Sequence, residues 1–148
     1  MTPPPDVPVT FRPARTRAVL ITVGVAVFAV LTLIGLILPV TGAGQRAAFV
    51  VTGLLFLGVL LLLSRPHVTA DESGVTVVNL TTRRRLEWAE VVCVNLRQGD
   101  PWVSLDLADG TSLPAMGIQP GIAKERAVAD ATALRALAER YGTGETVR

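Results

Sequence analysis

Two long apolar runs meet across a short polar turn near the start of this chain, and beyond them the hydrophobic positions fall into a shorter rhythm. Residues 18–40 carry no charged side chain, and neither do residues 47–64. Eighteen or more uncharged, mostly apolar residues suffice for a helix to cross a hydrocarbon core of about 30 Å at roughly 1.5 Å per residue. In the second run Phe49, Val50, Val51, Leu54, Leu55, Phe56 and the leucines up to Leu63 each favour insertion by about 0.3–0.6 kcal/mol, which outweighs Thr52, Gly53 and Gly58. The pattern predicts a transmembrane helical hairpin over residues 18–64, with Pro39, Gly42 and Gly44 supplying a tight turn at 41–46. Ala18, Thr22 and Ala26 recur every four residues, as do Ala48 and Thr52. Small residues at that spacing let helices approach closely, although Ala and Thr are also simply frequent here.

After Arg65-Pro66 the period shortens. Residues 67–70, 75–80, 84–88, 91–97, 102–107 and 111–116 are short runs rich in β-branched and aromatic side chains, many of them alternating. The breaks at 71–74, 98–101 and 109–110 carry Gly, Asp and Pro, the chemistry of tight turns. This predicts an antiparallel meander in which Val103, Leu105 and Leu107 face inward and Ser104 and Asp106 outward. From 123 to 141 the period lengthens again. Ala127, Ala131, Leu134, Ala138 and Tyr141, with Val128 and Leu137 alongside, mark an amphipathic helix that Gly142 ends. Residues 142–148 read as a flexible tail. At the other end five prolines within residues 1–13 exclude a helix, so residues 1–17 read as a disordered, basic tail.

Charge refines this layout. The 148 residues have a formal net charge of +2 and a mean hydropathy of +0.50, but both averages mislead. Asp6, Arg12, Arg15, Arg17 and Arg46 leave +3 on the segment up to residue 64, whereas ten basic and eleven acidic side chains follow it. A near-neutral soluble part lacks the electrostatic footprint of a nucleic-acid binder. Arg12, Arg15, Arg17 and Arg65 flank the hairpin against the lone Arg46 in its turn, so the positive-inside rule places both termini in the cytoplasm. A signal peptide would have an apolar core of only about 7–15 residues, so the first run reads as an uncleaved span. Neither run holds an ionisable residue, which leaves no candidate for an ion or proton pathway.

Six or so antiparallel strands followed by one helix outline a pleckstrin-homology (PH) domain, a bent barrel capped by its C-terminal helix. The segments DESGVTVVNLTTRRRLEWAEVVCV at 71–94 and PWVSLDLADGTSL at 101–113 resemble the bacterial PH domain of small two-span actinobacterial membrane proteins, including the low-molecular-weight antigen type. The run from Arg84 to Val91 is the most specific part. The resemblance implies an α-helical membrane hairpin followed by an α+β PH-like domain at 65–141, and little about ligand. PH domains that recognise phosphoinositides use basic residues around their first hairpin loop. In this chain that loop is expected at 71–74, where Asp71 and Glu72 would repel a phosphate.

Few side chains suggest chemistry. Arg83, Arg84 and Arg85 form the one cationic run of the soluble part, which reads either as contact with an anionic membrane surface or as a charged strand edge that discourages aggregation. Trp88 and Trp102 read as core or rim residues, and Trp102, following Pro101, is a candidate exposed contact for a protein partner. His67 has no ligand-spaced companion, and Cys93, set among Val91, Val92 and Val94, reads as a small buried apolar residue. No cofactor, metal or catalytic constellation is expected. The sequence therefore supports a membrane-anchored interaction module that docks a membrane-associated protein, with anionic-lipid sensing through the arginine run as the alternative. A homo-oligomer through the small-residue helix faces is compatible with either.

Overall fold

The computed structural model describes residues 3–39 and 42–142. Two compact units account for them: Ala14–Arg65 forms one, and Met1–Pro13 joins Pro66–Arg148 in the other. The second unit is thus interrupted by the first.

In the apolar unit α1 (Ala14–Ile37) packs on α2 (Ala43–Leu63), and both are long and apolar enough to cross a bilayer. The first helix begins four residues before the expected span. Pro13 suits the entry to a helix, and the long stems of Arg15 and Arg17 allow their charges to sit at its margin. At the turn, the Gly42 N–H donates to Gln45 Oε1 at 3.2 Å, satisfying one of the open donors of α2. The helices meet through glycines. A Cβ on Gly24 would stand 3.0 Å from Leu57, one on Gly53 3.0 Å from Phe28, and one on Gly35 3.0 Å from Phe49. The expected faces of Ala18, Thr22 and Ala26 and of Ala48 and Thr52 are instead exposed. Glycine prevails because removing Cβ gains more approach than shortening the side chain to a methyl.

The other unit begins with a correction. Val9–Phe11, inside the stretch expected to be loose, is a strand, β1, paired antiparallel with β2 (His67–Asp71). Val9 lies opposite Ala70 and Phe11 opposite Val68, and Phe11 is only 5% exposed. The prolines do exclude a helix, but three β-branched or aromatic residues between Pro8 and Pro13 can still add to a sheet edge. Because the pair is antiparallel, the chain leaves β1 and enters β2 at the same end of the sheet. The apolar hairpin therefore occupies the first strand-to-strand connection of this domain. Residues 71–74 form the second connection and not the first.

β2, β3 (Gly74–Val78) and β4 (Arg83–Glu87) complete a four-stranded antiparallel sheet in the order β1-β2-β3-β4. A 3-10 turn at Trp88–Glu90 leads to a second sheet, β5 (Val91–Asn95), β6 (Val103–Leu107) and β7 (Ser112–Ala115), in that order. The expected barrel is therefore not closed: two sheets face each other. Val68, Ala70, Val75, Val77 and Leu86 form a core with Val94, Val103, Leu105 and Leu107. Asn79, 6% exposed, braces the two layers, donating from Nδ2 to the Pro114 carbonyl at 2.8 Å and accepting from the Met116 N–H at 3.1 Å. Both amide atoms are satisfied, so the buried polar group carries no desolvation deficit.

Helix α3 (Lys124–Gly142) buries Ala127, Ala131, Leu134 and Leu137, while Val128 falls off the stripe and is 48% exposed. Cys93 is also corrected: it is exposed. Pairing of β5 with β6 skips Val92, so a bulge turns Val92 and Cys93 outward together before Val94 returns to the core. The expected tail at 142–148 lies, apart from Gly142, outside the described residues.

Truncating Phe11 to alanine should destabilise the domain by about 3 kcal/mol or more, a core-sized loss from a supposed tail. Urea unfolding followed by Trp88 fluorescence measures it. Replacing Ala14–Arg65 by a short Gly-Ser linker should keep the midpoint near that of the intact chain, whereas a version starting at Pro66 should unfold at clearly lower urea.

Candidate functional site

Alternation along β4 separates the three arginines. Arg83 and Arg85 project from one face and Arg84 from the other, the face on which Leu86 is buried. Arg83 pairs in register with Val78, which pairs with His67, so it lies on the last row of the sheet, at the end where β1 and β2 connect through the hairpin. Arg84 is exposed and close enough to Asp109, in the turn between β6 and β7, to help keep that carboxylate ionised. The larger causes of the lowered Asp109 pKa are the hydroxyl and N–H of Thr111, at 2.6 and 2.9 Å.

Arg85 is committed elsewhere. Its guanidinium donates to both oxygens of Asp71, at 2.7 and 2.8 Å, and to the hydroxyls of Thr76 and Ser73. Asp71 in turn accepts from the N–H groups of Ser73 and Gly74 at 2.9 and 3.1 Å, which closes the turn between β2 and β3. Arg85 above all, then Ser73, hold the Asp71 carboxyl far below the usual carboxylate range. Gly74 is required there because a Cβ would collide with the Leu86 carbonyl. The Asp71 carbonyl accepts from Trp88 Nε1 at 2.8 Å, and the Trp88 indole stacks on Tyr141 with centroids 6.0 Å apart. Trp88 is thus a buried strut between the first sheet and α3.

Trp102 is half-buried beside Pro101. His67 is half-buried too, its backbone covered by Gly117. The structure therefore does not gather Arg83, Arg84, Arg85 and Trp102 into one patch. Among the described residues no three His, Cys, Asp or Glu side chains stand close enough to hold a metal ion. A mostly apolar hollow of about 510 Å³ lies between Pro3 and Pro4 and the outward side of α3, at Thr132, Arg135, Ala136 and Glu139. It is not legible in the sequence, because nothing in the proline run says which surface it crosses. A smaller, polar hollow of about 290 Å³ opens beside Glu72, Glu87 and the Trp88–Tyr141 stack.

Two facing sheets of four and three strands, with a C-terminal helix packed beside β5, are the layers of the fold that the sequence resembles. Residues 65–137 match the model of the bacterial PH domain. The chain is 36% identical over 113 residues to uncharacterized protein Rv1417 of Mycobacterium tuberculosis, covering 72% of this chain and 73% of that one. It belongs to the bacterial PH domain family. The same identity and coverage hold for uncharacterized protein Mb1452 of Mycobacterium bovis. No solved structure matches the chain. The family match starts at residue 65, so β1 stands outside the segment that identifies this PH domain, although it completes the sheet.

The Asp71–Arg85 pair has a testable sign. A carboxyl whose folded pKa is depressed stabilises the fold above its unfolded pKa, near 4, and that contribution is lost as pH falls below it. Urea midpoints measured from pH 5 down to pH 2 should therefore fall more steeply for the intact PH domain than for Asp71→Asn, so that the gap between them narrows toward the acid end.

Proposed function

We propose that this PH domain is a non-catalytic interaction module held at the cytoplasmic face of the membrane, where it docks a membrane-associated protein. The observation that carries the reading is the place of the hairpin, between β1 and β2 of the same sheet. Only Arg12 and Pro13 separate β1 from α1, and Ser64 to Pro66 separate α2 from β2. Such short connections tether the PH domain directly to both helices. Pairing of β1 with β2 also requires both ends of the hairpin to emerge on one side, and the arginines flanking it favour the cytoplasm. A domain tethered so closely meets other membrane-bound proteins at high effective concentration, so modest contacts suffice.

Anionic-lipid sensing through the arginine run has weaker support. Arg85 is neutralised by Asp71, and Arg83 and Arg84 project from opposite faces of β4, so the run offers no single cationic patch to a lipid surface.

In-membrane photocrosslinking of the full chain tests the docking reading. One membrane-associated protein should be captured, and the capture should survive exchange of α1 and α2 for an unrelated two-span hairpin. A single-span anchor would part β1 from β2, so it should abolish capture. Crosslinks only to lipid or to a second copy would overturn the reading.

A further inference from the structure

Two open sheets present four terminal strands, and three are obstructed. β1 offers only Val9–Phe11 between Pro8 and Pro13, neither of which can donate a backbone hydrogen bond. β5 is interrupted by the bulge at Val92 and lies beside α3, from which Arg135 Nη2 donates to the Val94 carbonyl at 2.8 Å. β7 contains Pro114, whose carbonyl is taken by Asn79. β4 differs in each respect. It is five residues long, keeps unbroken register with β3 from Arg83 to Glu87, contains no proline, and its outer side meets no other strand among the described residues.

An open, regular edge is a template for another strand, and proteins usually blunt such edges with charge. Here the charge is of one sign over three consecutive residues, Arg83 to Arg85. Two copies of β4 laid edge to edge in parallel, or antiparallel about Arg84, would oppose arginine to arginine, which is unfavourable at the roughly 5 Å between directly opposite side chains. An acidic strand meets the reverse situation. Arg83 has no side-chain partner among the described residues, Arg84 is exposed on the opposite face, and a strand's side chains alternate between those faces, so acidic residues at neighbouring positions would find one arginine each. Arg85 is already paired with Asp71 and holds the turn in place.

We propose that β4 is the docking edge of this PH domain and that it takes an extended acidic segment of a partner protein as a fifth strand. Backbone hydrogen bonds supply the attachment and Arg83 and Arg84 select the charge. The proposal rests on the docking reading and narrows it to one edge and one class of segment.

The test uses the full chain in phosphatidylcholine nanodiscs at low ionic strength, with a capped nonapeptide of alternating Glu and Val as probe and a Lys-Val nonapeptide as control. Amide hydrogen exchange resolved across residues 83–87 is the readout. The Glu-Val peptide should slow exchange there at least tenfold, and the Lys-Val peptide should not. The charge reversal R83E/R84E should exchange the two preferences, a result that a merely unfolded variant would not give. Protection that appears elsewhere, or the same protection by both peptides, would overturn the proposal. So would protection of residues 83–87 by phosphatidylglycerol nanodiscs with none from the peptide, which would assign the arginines to lipid. If a protein partner is still crosslinked by R83E/R84E in the membrane, the docking reading stands and β4 is not its site.

Discussion

The pairing of β1 with β2 is the constraint from which the rest of this molecule follows. It joins residues 59 apart, such as Thr10 and Thr69, across an apolar hairpin of two complete helices. A three-residue strand contributes few hydrogen bonds, so its hold depends on side chains: Phe11 is buried in the core, and Val7 and Val9 pack against it. Pairing at that distance carries a loop-closure cost, but the cost grows only logarithmically with length, and helices that pack on each other bring the ends together regardless. The sheet and the hairpin thus support one another. The hairpin delivers β1 to β2, and their pairing closes the connection.

The strand pattern from 67 to 115 was legible because each strand alternates and each turn carries its own chemistry, so the expected runs agree with the observed strands to within about two residues. The C-terminal helix was legible for the same reason, and only Val128 was assigned to the wrong side. Information that was not local was lost. β1 has too few residues to show alternation, and what decides its structure is a partner beyond the hairpin. Cys93 was misplaced because a bulge shifts alternation by one residue, and the run Val91 to Val94 reads as buried whichever residue is skipped. The glycine contacts between the two helices were not singled out because alanine and glycine look alike as small residues, while only glycine lets side chains such as Phe28 and Leu57 approach its backbone.

The arginine run shows how a charge cluster in sequence can dissolve in structure. Neighbouring side chains on a strand point to opposite faces, and those two apart need not share a fate. Arg85 is drawn into the Asp71 turn, where four hydrogen bonds fix its guanidinium and the Trp88 indole seals the same turn from the other side. That network gives the Arg-Leu-Glu-Trp run a structural role. It joins the second connection of the sheet to α3, a structural duty independent of any ligand. Only Arg83 and Arg84 of the run are left outside that network.

Placing a bilayer-length hairpin in the first connection of the sheet also changes what this fold needs from its loops. In PH domains that read phosphoinositides, the first hairpin loop works through basic residues, because a soluble domain must find the membrane by binding to it. On the docking reading proposed above, a domain whose first connection crossed the bilayer would have no such search to make. The acidic turn of Asp71 and Glu72 is then tolerable, and Asp71 is free to serve the fold through Arg85. On that reading specificity falls to the remaining surfaces, and an open sheet edge with charge of one sign is one of them.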